Sequence, residues 1–297
     1  MKKSEALSII AAQASQGELV FPTNVNASLK IQQLLDQPDC DLEVAAKLIV
    51  TEPLLSARVV AIANSVAYSR FGGGVSSVRM AVTILGFDTL RSVIASVLVR
   101  QLGSEINHPL LRQHALQLWE HSAHVAALAH LLASRVSHTD PETAMFAGIV
   151  HEVSGFYLLS RAEEFPALMD GYGHPSGEDD SIDLEANNDV AFAELDEAPE
   201  VIIGRAVLKK LMVPKRIVAA VEAVWTGIRV MPPETLGDTL LLANDLAATP
   251  SPLDARSTAT IRQDASEIDF AVGADTVRQI MEESDNDVKA LTASLLT

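Results

Sequence analysis

Along most of this chain the apolar residues recur every three or four positions, and signals for β-strands are scarce. That periodicity constrains the fold more than any other feature, because a stripe repeating every 3.6 residues is buried by packing helix on helix. Leu7, Ile10, Ala11 and Ala14 form the first such face, and Ala27, Ile31, Leu34 and Leu35 a second, broken by Pro38 and Asp39. Asp41 is placed to cap a third helix carrying Leu42, Ala45, Ala46, Leu48 and Ile49. Pro53 suits the first turn of a fourth, where its missing N–H costs nothing. That helix buries Leu54, Leu55, Val59, Ile62 and Ala63 and ends near Asn64-Ser65.

Phe71-Gly72-Gly73-Gly74 reads as a turn. It lacks the preceding strand and the following Gly-Lys-Ser/Thr that a phosphate loop needs. Ser76 or Ser77 caps a helix over 78–85 that Gly86 closes, and Asp88 caps a long apolar helix over 89–102. A change in composition at 103–109 marks a subdomain boundary. One long helix is expected over 111–136, then another over 143–152, opened by Asp140-Pro141-Glu142 and continuing over 154–160 past a kink at Gly155. From 176 to 200 there are ten carboxylates and no Lys or Arg, read as an acidic loop followed by a short helix. A helix pair over 201–212 and 214–224 follows, with further helices near 236–248 and 277–296. The expected fold is all-α, with an N-terminal helical half (1–105), a second helical half (106–230) and a C-terminal helical extension (231–297).

With 48% hydrophobic but only 4% aromatic residues, the core must be aliphatic. A formal charge of -17 opposes binding to nucleic acid or to anionic membranes. Arg205, Lys209, Lys210, Lys215 and Arg216 read as a solvated helix face. The single cysteine, Cys40, excludes an intramolecular disulfide, fits a reducing compartment and reads as a small packed side chain. Met1-Lys2-Lys3 opens an amphipathic helix rather than a signal peptide, and the apolar run 92–99 is too short to span a bilayer. The expectation is a soluble cytoplasmic protein.

Two stretches carry candidate chemistry: Trp119-Glu120-His121-Ser122, and Ala147-Gly148-Ile149-Val150-His151-Glu152. A His on one helix followed by a His-carboxylate pair on the next is a metal-ligand pattern. His114 and His124 share a face with His121 and are read as peripheral.

Phe21-Pro22, Thr51-Glu52-Pro53-Leu54-Leu55-Ser56-Ala57-Arg58, Ala61-Ile62-Ala63-Asn64-Ser65, Val75-Ser76-Ser77-Val78 and Ile84-Leu85-Gly86-Phe87-Asp88-Thr89-Leu90-Arg91 together resemble the HDOD family of bacterial proteins. That family is related to the HD metal-dependent phosphohydrolases, and the resemblance covers roughly 18–225. It implies a multi-helical fold whose second half is HD-like. HD chemistry needs a His, a His-Asp pair and a later Asp around one or two divalent metals. The resemblance assigns the first positions to His121 and His151, with Glu152 replacing the Asp at the cost of an extra methylene. Relatives often keep a His four residues before Gly204, where Glu200 stands, and paired His where Val224-Trp225 stands. The implied site is vestigial, with His121, His151 and Glu152 as metal candidates and at most a weakly bound divalent ion. The two histidines are otherwise read as hydrogen-bonded groups holding their helices together. The function expected is a non-catalytic signalling module acting through a protein partner. The alternatives are a metal-dependent phosphohydrolase with an altered ligand set and a nucleotide-sensing domain without turnover.

Overall fold

The computed structural model describes residues 1–64, 74–104, 106–170, 197–227 and 230–253, with isolated residues between 273 and 289. The turn at 71–73, the acidic segment up to 196 with its short helix, and most of the helix expected over 277–296 lie outside the described residues.

Eleven α-helices lie among the described residues, beside a π-helical turn Ala133–Ser137 and a 3-10 turn Pro166–Met169, and no strand does: α1 Lys3–Ser15, α2 Thr23–Leu35, α3 Leu42–Val50, α4 Pro53–Ala63, α5 Val78–Ser104, α6 Pro109–Leu132, α7 Pro141–Val150, α8 Val153–Arg161, α9 Pro199–Lys210, α10 Lys215–Thr226 and α11 Leu236–Leu246. Polar side chains start α3, α4, α7 and α11 by accepting from otherwise unpaired amides. Asp41 Oδ1 accepts from Val44 N at 2.8 Å, Glu52 Oε2 from Leu55 N at 2.6 Å, and Asp140 Oδ2 from Thr143 N at 2.9 Å. Thr235 and Asp238 form a reciprocal capping box at the start of α11.

The helices expected over 78–85 and 89–102 run end to end as α5, interrupted only where Gly86 adopts φ 69°, ψ 174°. The 27-residue helix that results is long and apolar enough to cross a membrane by length and composition, which the short run 92–99 does not suggest. More than half of its apolar stretch is buried inside the protein, against α2, α3, α4 and α8.

The break expected at Gly155 falls earlier. Helix α7 ends at Val150, His151 and Glu152 form the turn, and α8 begins at Val153. A Cβ at position 155 would sit 2.5 Å from Leu253 Cδ1 and 3.1 Å from Leu118 Cδ2, so a side chain there would displace those two leucine tips.

The core is aliphatic, as the composition requires, and one contiguous buried cluster runs from α1 to α11 across residues 105 and 230. Helices α6 and α7 pack most extensively, and α11 lies across α6, α7 and α10. At Gly148 the α7 backbone approaches α6 so closely that a Cβ would lie 2.5 Å from Ala126 Cα. On α9, Arg205 is held by Glu197 and Glu222, while Lys209 and Lys210 are exposed, matching a solvated face.

Candidate metal centre

His121 sits in the middle of α6, on the side that faces α7 and α11, and His151 terminates α7. The Gly148 contact lets the two helices close, and the rings meet with centroids 5.2 Å apart. Both are buried, at 2% and 4% exposure, while the Glu152 side chain keeps 21%. The ligand atoms of His121, His151 and Glu152 lie within 4.8 Å of one another. The longer Glu side chain therefore does not carry the carboxylate out of the cluster: Glu152 Oε1 is 3.8 Å from His121 Nε2.

Hydrogen-bond roles fix the tautomers. His121 Nδ1 lies 2.7 Å from the Thr249 carbonyl, and His151 Nδ1 lies 2.7 Å from the Gly148 carbonyl. A carbonyl only accepts, so each Nδ1 carries the proton and, in a neutral ring, each Nε2 carries a lone pair. Those two Nε2 atoms face each other at 3.2 Å. Asn244 Oδ1, from α11, is a further acceptor 3.2 Å from His121 Nε2. Turning the Asn244 amide would bring N–H donors to His121 and to His151, on which Asn244 also acts by a side-chain hydrogen bond, so it is the oxygen-inward orientation that leaves both lone pairs unmet.

With the amide oxygen inward, four acceptors converge without a donor and call for a positive charge between them. A proton is one solution, but burial opposes it, pushing His151 down to about 4 despite the counter-pull of the Glu152 carboxylate. A divalent cation is the other. Metal–nitrogen bonds of about 2.1 Å at angles of roughly 90–109° put two ligand atoms about 3.0–3.4 Å apart. The observed 3.2 Å separations fit that range. The Nδ1–H to carbonyl bonds are the orienting contacts expected behind ligating histidines.

The other sequence candidates stay outside the cluster. Glu200 is exposed in the first turn of α9, and Trp225 packs against Gly204. His114 is half-buried. His124 is buried and held below the usual histidine range, first by burial and then by neighbouring His121. His130 pairs with Glu142 at 3.5 Å between α6 and α7. Sequence reasoning missed Asn244 and the Thr249 carbonyl, both in the stretch read only as a helical extension. The available signal was Asn244-Asp245 closing the apolar run Leu240-Leu241-Leu242-Ala243.

An all-helical chain that brings a mid-helix His against a His-carboxylate turn defines a protein of the HD-like class. The HDOD domain sequence pattern matches residues 21–226, and the chain belongs to the HDOD family. Among solved structures, a candidate metal-dependent phosphohydrolase from Shewanella amazonensis SB2B is 21% identical, with 99% of each chain covered and a TM-score of 0.64. An HDOD domain protein of unknown function from Geobacter sulfurreducens is 22% identical, covering 98% of this chain and 97% of that one, with a TM-score of 0.54. A candidate signal transduction protein from Marinobacter aquaeolei VT8 is 18% identical, covering 93% of this chain and 60% of that one, also at 0.54. At these identities the likeness is one of fold. Among curated proteins, none shows significant sequence similarity to the chain.

Proposed function

We propose that this protein is a non-hydrolytic HDOD signalling module that retains one divalent-cation site, held by His121, His151, Glu152 and Asn244. The observation that carries this reading is the pair of inward-facing Nε2 lone pairs, 3.2 Å apart and buried. The site supplies one carboxylate and one neutral amide beside two imidazoles, enough for a single ion. When bound, such an ion supplies a positive charge that holds α6, α7 and α11 together.

Several features argue against turnover. Phosphoryl transfer needs cationic groups around the developing charge; apart from a bound ion, the groups whose charge acts on His151 are Glu152 and His121, neither of them a Lys or Arg. Both rings are sealed from solvent, and the Thr249 backbone lies over His121. Of the cavities among the described residues, one is bordered by Ser92, Thr143 and Arg216 and another by Phe21, Ser160 and Arg161. Neither includes a member of the four-residue cluster.

Exposed apolar side chains support the reading of a protein partner. Val44 and Val50 on α3 and Met80 on α5 are exposed large apolar side chains, with the Glu43–Arg79 ion pair joining their helices. The test is to load the purified protein with manganese and assay phosphomonoesters, nucleotides and cyclic dinucleotides. Cation binding without turnover is expected. Turnover abolished by His151→Ala would instead establish the phosphohydrolase alternative.

A further inference from the structure

The chain leaving α11 does not depart from the metal centre but wraps around it. Asn244 Oδ1 approaches His121 Nε2 at 3.2 Å from one side. Five residues on, the Thr249 carbonyl accepts from His121 Nδ1 at 2.7 Å on the opposite edge of the ring. Ser251 is buried, and its Oγ accepts from Leu253 N at 3.3 Å, turning the chain back towards the protein. Leu253 then seats over Gly155, and Glu152 Oε2 lies 3.4 Å from where a Gly155 Cβ would be. Ten residues thus meet the site at three places: His121 from two directions, and the groove beside Glu152.

From this arrangement we propose that residues 247–253 form a strap gating the cation site, so that seating of the strap and occupancy by the cation are reciprocally coupled. The proposal rests on the cation reading above. Thr249 fixes the His121 ring, so a lifted strap frees that ring to turn its Nε2 away from His151. Leu253 is the latch, because its tip occupies the space that a Cβ at position 155 would take. Thermodynamic linkage then requires that a bound cation hold the strap down to the same degree that the strap holds the cation in.

The test uses the full chain loaded with cobalt(II). Release is followed after adding excess chelator to wild type, Leu253→Ala and Gly155→Ala. The first variant removes the latch without a clash, and the second fills its seat. Both should release cobalt about tenfold faster or more, in keeping with ordinary coupling strengths. Amide exchange gives a readout independent of release: cobalt should slow exchange across 248–253 in wild type and much less so in the variants, with α2 unchanged in all three. Cobalt binding with equal release rates and no protection of the strap overturns the gate and leaves the cation site standing. No cobalt binding by wild type overturns both.

Discussion

His121 and His151 point their Nε2 atoms at each other across 3.2 Å after each has donated its Nδ1 proton to a main-chain carbonyl. Two lone pairs in that position repel unless a donor or a positive charge meets them. Asn244 completes the set with an uncharged oxygen, and here charge sets the affinity. Asn244→Asp should tighten manganese binding by about tenfold and Asn244→Leu should weaken it, since added ligand charge strengthens hard-cation sites. Isothermal titration of both variants checks this; an unchanged affinity in Asn244→Asp would mean that residue 244 does not face the ion.

The buried His151 makes stability depend on pH in a definite direction. Its folded value is about 4, against about 6.5 in an unfolded chain. Between those values the unfolded chain takes up a proton that the folded site refuses, so stability falls as pH drops from about 6.5 towards 4. The loss is on the order of 3 kcal/mol. His124, also held down by burial, adds a change of the same sign. Urea midpoints for metal-free wild type and His151→Gln across this window should show a shallower slope in the variant. Identical slopes would sink the assignment.

Asp238 behaves differently and lower on the pH scale. Burial alone would raise its carboxyl, but bonds from the Thr235 hydroxyl and the amides of Val230, Thr235 and Glu234 outweigh it and hold it below its ordinary value. Its contribution is therefore present above about pH 4 and disappears as pH falls through the lower folded value. At neutral pH Asp238→Ala should cost about 1–2 kcal/mol by removing the α11 cap. A lower urea midpoint is the measurement, and loss of α11 packing should also weaken the cation site through Asn244.

Gly148→Ala tests how the histidines are brought together. The added methyl would meet Ala126 Cα and N, which cannot step aside like a side-chain tip. A destabilisation of about 3 kcal/mol is expected from overpacking. Ala126→Gly in the same chain should not restore it, because the collision is with backbone. Rescue by that second change, seen in the melting temperature, would place the close contact elsewhere.

The local part of this architecture was legible in the sequence. Asp41, Pro53 and Asp140 start helices as their chemistry demands, and the α1 face of Leu7, Ile10, Ala11 and Ala14 is the buried one. His121 and His151 were identifiable as partners because one short connection joins their helices. Asn244 and Thr249 were not, since they approach His121 from more than 120 positions away, and periodicity says nothing about which helix lies on which. Gly155 illustrates a related failure. Its glycine reads as a kink, whereas the turn falls at His151-Glu152 and the tip of Leu253, distant in sequence, fills the space beside it.

The most direct test of the account is a cobalt(II) titration of purified wild type and His151→Ala, followed by visible absorption and by elemental analysis after desalting. One tightly held ion per wild-type chain is expected, with a spectrum that the variant lacks while its helical circular dichroism persists. Absence of stoichiometric binding in wild type, or an unchanged spectrum in the variant, would contradict it and leave the two histidines as a packing contact.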